Sequence, residues 1–184
     1  MPLHPTLHAA LQHHAHAVPD QRDAVEIFLA FLRSNPGVFE RSHPPGHFTG
    51  SAWLVSADSA RVLLTHHRKL GRWFQPGGHA DGDTDLVRVS LREASEESGL
   101  SDLVVEPAIF DLDRHLIPAR GTEPAHWHYD VRHVVRATGS EAFSVGEESL
   151  DLAWRSVAEL PEDASLDESI RRMARRWLAR QAAS

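Results

Sequence analysis

Residues 77–100 constrain this chain more than any other part, because two adjacent glycines precede an acidic loop and a helix that is crowded with carboxylates. Glycine allows the backbone to approach a ligand closely or to present its carbonyls to one. The pattern predicts an acidic loop over 77–85 and a helix over about 84–98, which ends at Gly99. The face of this helix that we expect to be buried consists of Val87, Leu91, Ala94 and Ser98.

Three carboxylates share another face of the predicted helix. Each helical residue advances by about 100°, so Glu96 and Glu97 fall on either side of Glu93. Like charges at this spacing destabilise a helix, and the negative end of the helix dipole adds to the conflict. The crowding favours a bound hard cation such as Mg²⁺, which prefers oxygen ligands. The alternative is a solvated face on which Arg92 pairs with Glu96.

Composition excludes several other kinds of site. The 184 residues suit one domain, or one domain with an appendage. The chain lacks cysteine, which excludes disulfides, thiolate zinc sites and cysteine nucleophiles. Its net charge of −7 disfavours stable nucleic-acid binding. Neither a run of about 18 apolar residues nor a signal-peptide pattern occurs, so we expect a cytoplasmic protein without membrane contact.

Residues 92–100, Arg-Glu-Ala-Ser-Glu-Glu-Ser-Gly-Leu, resemble the second half of the Nudix box. The full box is Gly, five residues, Glu, seven residues, then Arg-Glu-apolar-any-Glu-Glu-any-Gly-apolar. Gly78 lies fourteen positions before Arg92, as the box requires. One position departs, because Thr84 stands where the box has a glutamate that orients the box arginine. We hypothesise that Asp83 orients Arg92 instead, with Asp85 as the alternative.

The resemblance implies a fold and an activity. The fold is a Nudix-type α/β/α sandwich of the α/β (α+β) class with a mixed sheet, formed here by residues 41–184. The activity is hydrolysis of a nucleoside diphosphate linked to another group, with Mg²⁺ or Mn²⁺ as cofactor. By similarity, Glu93, Glu97 and Arg92 are catalytic, and the metal ligands are Glu93, Glu96, Glu97 and the carbonyl of Gly77. One glutamate, or a later acid such as Glu147 or Glu148, deprotonates the attacking water.

Histidines and charged residues elsewhere provide candidate substrate contacts. Alternation along a strand over 127–136 places His126, His128 and Asp130 on one face. A His-X-His pair beside a carboxylate can bind zinc, can contact a substrate, or can simply be packed or exposed. A basic patch lies at 66–72, where an exposed turn is the alternative. The candidate substrate-binding residues are Arg68, Lys69, His79, His128, Asp130 and Glu148.

Residues 1–40 lie outside the resemblance and are expected to form a helical extension. A short helix is predicted over 4–16, and a second, amphipathic one follows Pro19. Its apolar residues are Val25, Phe28, Leu29, Phe31 and Leu32. This face packs on the domain core, forms a homodimer or docks a partner protein.

The remaining predicted elements are strands over 48–56, 61–65, 103–111 and 152–157 and a C-terminal helix from about 167. A non-catalytic nucleotide sensor on the same fold is the alternative function, although a sensor need not keep all three glutamates. An isopentenyl-diphosphate isomerase would need a cysteine that this chain lacks.

Overall fold

The computed structural model describes residues 4–68, 70–146 and 149–183. The helices are α1 (Pro5–Ala17), α2 (Arg22–Ser34), α3 (Leu86–Ser98) and α4 (Glu168–Ala182). The strands are β1 (Gly46–Val55), β2 (Arg61–His67), β3 (Arg72–Phe74), β4 (Gly77–His79), β5 (Leu103–Ile117), β6 (His126–Ala137) and β7 (Ser149–Ser156). Within the described ranges, no helix combines the length and the apolar character that crossing a bilayer requires.

The strands form one mixed sheet, which confirms the predicted α+β class. The strand order is β3-β2-β1-β6-β5, while β4 pairs with β1 and β7 pairs with β2. Strand β2 is antiparallel to β1, β3 and β7. The short strand β4 lies where a loop was expected, and β5 continues past the predicted end at Asp111 to Ile117.

The chain divides into two compact units. Five elements contribute residues to both, namely β1, β4, β5, β6 and α3. The first unit comprises Met1–Ser51, Gly78–Ser90 and Glu106–His133, as far as these ranges are described. Its core contains the apolar stripe of α2, in which Phe28 and Leu32 are fully buried. The Phe31 ring stacks on Tyr129 with centroids 3.7 Å apart. The stripe is thus packed within the core of this unit, while the homodimer stays a prediction.

The second unit comprises Ala52–Gly77, Leu91–Val105 and Val134–Ser184. Asp167 caps the N-terminus of α4, because its side chain accepts a hydrogen bond from the Ser169 N–H. The buried Trp177 of α4 donates its indole N–H to the Ser59 carbonyl at 3.0 Å. The division of the chain into an extension over 1–40 and a domain over 41–184 stays a prediction.

Candidate functional site

Helix α3 carries the predicted carboxylates and ends as the sequence indicates. Gly99 adopts a φ of +72°, and a Cβ at this position would clash with the Ser144 side chain. Only glycine meets both conditions without strain. The buried residues of the helix are Leu86, Val89, Ser90, Ala94 and Ser98. Val87 and Leu91, which were expected to be buried, are only half-buried, because the buried stripe of the first turns is offset by one residue.

Glu97 is tied to the glycine-rich segment. Its Oε1 accepts a hydrogen bond of 2.7 Å from the backbone N–H of Gly77. The carboxylate is half-buried, so this bond is shielded in part from water. The structure therefore brings together one predicted carboxylate ligand and the residue whose carbonyl was predicted beside it.

Arg92 and Glu93 form an ion pair, in which Arg92 Nη2 lies 2.7 Å from Glu93 Oε1. The Glu93 side chain is 15% exposed, and Arg92 gives it a partner of opposite charge. Glu96 is exposed. The three carboxylates therefore differ in environment: two are half-buried and held by partners, and one faces solvent.

Asp83 and Asp85 lie beside the start of α3. Asp83 binds Arg88 through two contacts, with Oδ2 2.7 Å from Nε and Oδ1 2.5 Å from Nη2. It also accepts a hydrogen bond from the Asp85 N–H at 2.9 Å. These bonds raise the pKa of the Arg88 guanidinium. Both aspartates thus have a structural role at this helix end, and the hypothesis that Asp83 orients Arg92 stays a prediction.

Asp130 lies inside a buried polar network. Its carboxylate accepts hydrogen bonds from the hydroxyls of Thr49 and Ser51 at 2.8–2.9 Å. The Arg132 guanidinium is 2.7 Å from Asp130 and 3.3 Å from Asp111. Burial acts to lower the pKa of the Arg132 guanidinium. The surrounding carboxylates outweigh this effect, so the pKa of Arg132 is raised. At 2% exposure, Asp130 has the contacts of a residue that joins strands, whereas a substrate contact was predicted.

Three histidines of the first unit converge. His47, His126 and His128 each offer a ring nitrogen, and these nitrogens all lie within 4.8 Å of one another. His126 and His128 share a face of β6, as alternation predicted, with their Nε2 atoms 3.2 Å apart. His79 is adjacent, because its ring centroid is 5.0 Å from that of His47. Among the described residues, no other group of three candidate ligands meets this distance limit.

The rings of His47, His79 and His128 are kept neutral. Burial is the main cause that lowers the pKa of His47 to about 4, with neighbouring histidines adding to it. The same two causes lower the pKa of His128 to about 2. Burial also lowers the pKa of His79. At neutral pH, each ring therefore offers one lone pair and one N–H.

His47 was missed by the sequence analysis. It is the second residue of β1, after Gly46, and lies far along the chain from His126 and His128. A high histidine count of 14 was the only signal, and it does not indicate which rings meet. The pairing of β1 with β6 decides this, and that pairing is not a local property of the sequence.

Of the other predicted substrate contacts, one is described and the rest lie outside the described residues. Arg68 is exposed and donates a hydrogen bond from Nη2 to the Ser149 carbonyl at 3.0 Å. Lys69, Glu147 and Glu148 lie outside the described residues. The structure thus brings His79 and His128 together and gives Arg68 a backbone partner.

Comparison with known proteins identifies the family. A family model for the NUDIX domain matches residues 46–177. The chain is 30% identical over 128 residues to "Putative 8-oxo-dGTP diphosphatase 3" of Mycobacterium tuberculosis. This alignment covers 63% of this chain and 57% of that protein. The chain therefore spans less than two thirds of the length of this curated relative.

Solved structures show the same fold. An Ap4A hydrolase of C. elegans, solved as a binary complex, has a TM-score of 0.58 at 15% identity and covers 74% of this chain and 98% of its own. A NUDIX-family hydrolase from Clostridium perfringens has a TM-score of 0.55 at 24% identity, over 73% of this chain and 97% of its own. At these identities the similarity establishes the fold alone.

Proposed function

The chain belongs to the Nudix hydrolase family, and from this membership we propose that it hydrolyses the diphosphate bond of a nucleoside diphosphate linked to another group. The hydrogen bond between Gly77 and Glu97 carries the proposal, because it joins the glycine segment to the acidic helix within one site. The relative from M. tuberculosis and the fold neighbour from C. elegans have names that specify nucleotide substrates. These names support a small nucleotide as the substrate of this chain.

The donor set of the proposed site fits a hard divalent cation. Glu93, Glu96 and Glu97 would hold Mg²⁺ or Mn²⁺ together with the Gly77 carbonyl, and all these donors are oxygens. The bond from Gly77 N–H to Glu97 supports this set, because it brings the glycine backbone to the carboxylate. A bound cation neutralises the diphosphate charge as the P–O bond breaks.

The protein groups have separate proposed roles. Arg92 orients Glu93 through their 2.7 Å ion pair. One glutamate of α3 removes a proton from the attacking water, and Glu147 and Glu148 stay alternative bases. Arg68, Lys69 and His79 are proposed phosphate contacts, since cationic and N–H donors bind phosphate oxygens.

A substrate screen tests the proposal. The purified chain is incubated with 8-oxo-dGTP, Ap4A, ADP-ribose, nucleotide sugars and coenzyme A, with Mg²⁺, with Mn²⁺ or with chelator. Glu97→Gln is assayed in parallel, and Glu26→Gln is the control, because Glu26 is an exposed glutamate of α2. We expect metal-dependent release of nucleotide products that falls in Glu97→Gln and persists in Glu26→Gln.

Two outcomes contradict the proposal. Turnover that Glu97→Gln retains in full would place the reaction elsewhere in the chain. If no compound is hydrolysed while nucleotides bind in a metal-dependent manner, the chain is a nucleotide sensor on the Nudix fold. No contact among the described residues favours that second function over hydrolysis.

A further inference from the structure

We propose that His47, His126 and His128 form a second metal site, which binds a transition-metal ion of the Zn²⁺ class through three imidazole nitrogens. Its ligands differ in chemistry from the carboxylates of α3. Imidazole suits Zn²⁺, Co²⁺, Ni²⁺ and Cu²⁺, whereas Mg²⁺ prefers oxygen. The two kinds of site therefore select different ions.

The spacing of the His126 and His128 nitrogens matches a tetrahedral ion. Zn–N bonds of about 2.0–2.1 Å in tetrahedral geometry set the ligand nitrogens roughly 3.3 Å apart. The Nε2 atoms of His126 and His128 are 3.2 Å apart. One His47 nitrogen lies within 4.8 Å of both, so the third ligand atom is next to this pair.

The tautomer of His126 fits a ligand role. Its Nδ1 is 3.0 Å from the Pro124 carbonyl, which can only accept, so Nδ1 carries the proton. With the proton on Nδ1, Nε2 is the nitrogen left to bind a metal, and it is the atom that faces His128. Metal-binding histidines typically donate their other N–H to a backbone carbonyl in this way, which fixes ring orientation.

His47 is buried without hydrogen-bond partners for its ring nitrogens in the part of the chain that the structure describes. Its side chain is 1% exposed, and neither of its ring nitrogens has a hydrogen-bond partner among the described residues. A buried polar atom without a partner costs free energy, so natural proteins rarely retain one. A metal ion bound by His47 would give one of these nitrogens a partner inside the cluster of rings.

The surroundings suit a fourth ligand and a bound charge. His79 has its ring centroid 5.1 Å from that of His128 and can take the remaining position. Glu123 Oε1 lies 3.8 Å from His126 Nε2 and can offset part of the ion's charge.

Direct metal binding tests the site without any assay of turnover. The full chain is titrated with Co²⁺ in excess Mg²⁺, which occupies the carboxylates, and the visible absorption of tetrahedral cobalt is recorded. Zn²⁺ is then added in competition, and bound metal is counted after dialysis. We expect each chain to bind one equivalent of Co²⁺ that excess Mg²⁺ does not displace. Added Zn²⁺ should abolish the absorption of this bound cobalt.

Variants assign the ligands. His128→Gln and His126→Gln should each lower Co²⁺ affinity at least about tenfold. Two control variants should still bind one equivalent of Co²⁺ per chain. They are His13→Gln, which removes an exposed histidine of α1, and Glu97→Gln. Circular dichroism verifies that each variant folds. Because His47 is fully buried, its substitution can also disturb folding, so the substitution of half-buried His128 is the decisive test.

Any of three results would overturn the proposal. The folded chain binds no Co²⁺ in excess Mg²⁺, folded His128→Gln binds Co²⁺ with unchanged affinity, or His13→Gln loses Co²⁺ binding. The hydrolase proposal is tested by turnover and by Glu97, so either proposal can fail while the other stands.

Discussion

The Gly77 backbone N–H donates a hydrogen bond of 2.7 Å to Oε1 of Glu97, which lies 20 residues further along the chain. The bond involves two properties of the carboxylate, its accepting oxygen and its negative charge. Glutamine retains the oxygen and loses the charge, whereas alanine loses both. The two substitutions can therefore separate folding from catalysis at this position.

For Glu97→Gln we expect turnover to fall at least ~10²-fold, because a positioned metal ligand or base loses its charge. Its free energy of unfolding should stay within about 1 kcal/mol of the wild type, since the bond to Gly77 is kept. Glu97→Ala should lose activity and, in addition, about 1–2 kcal/mol of stability. Urea denaturation and steady-state kinetics measure both; wild-type turnover in Glu97→Gln would exclude Glu97 from the site.

The role of Asp83 can be separated from that of its partner Arg88. If Asp83 orients Arg92, Asp83→Ala lowers kcat, whereas Arg88→Ala leaves it near the wild-type value. We expect that difference, because Arg88 is 66% exposed and belongs to no predicted catalytic set. The measurement is kcat for both single variants and for the double variant. Equal kcat values would mean that Asp83 serves only the start of the helix.

Arg132 should matter more for stability than Asp130 does. Arg132→Met leaves buried Asp130 and Asp111 without this guanidinium, and we expect a loss of about 3–5 kcal/mol. Asp130→Asn should cost less, since Arg132 keeps Asp111 and asparagine still accepts from Ser51. Urea denaturation at pH 7 gives both values. A rise in KM for Asp130→Asn at unchanged stability would instead support the predicted substrate contact.

His133 makes stability depend on pH on the acidic side. The ring is 2% exposed, its Nδ1 is 2.9 Å from Ser90 Oγ, and burial lowers its pKa from 6.5 to about 4. Above pH 6.5 the ring is neutral in both states, so its contribution to stability is fully present. Between pH 6.5 and 4 the unfolded chain binds the proton first, so stability falls by about 1.4 kcal/mol per pH unit for this group.

The matched comparison is His133→Gln over the same pH range. The pH dependence of the unfolding free energy gives the number of protons bound on unfolding. The extra uptake of the wild type over the variant should grow as the pH falls from 7 and should approach one proton near pH 5. His47 and His128 keep a slope of the same sign in both proteins. An identical proton count in the two proteins would show that His133 titrates normally in the folded state.

The sequence predicted those parts of the molecule whose pattern is local. The stripe that includes Phe28 and Leu32, and the end of α3 at Gly99, follow from helical spacing and from glycine chemistry. The contact of Arg132 with Asp111 and that of His47 with His126 and His128 were not predicted, because each joins different strands and depends on strand pairing. The continuation of β5 escaped prediction for the same reason, since polar Asp113 is paired with Arg132 there.

Strand β6 also restricts how this chain can change in length. His126 and His128 point to one face, while Tyr129 and its neighbour Trp127 pack with the apolar core of the first unit. Inserting a single residue within this stretch would exchange the faces and bring imidazoles into the position of aromatic rings. Homologous chains should therefore gain or lose residues here in pairs, whereas the exposed turn at 120–123 can accept single insertions.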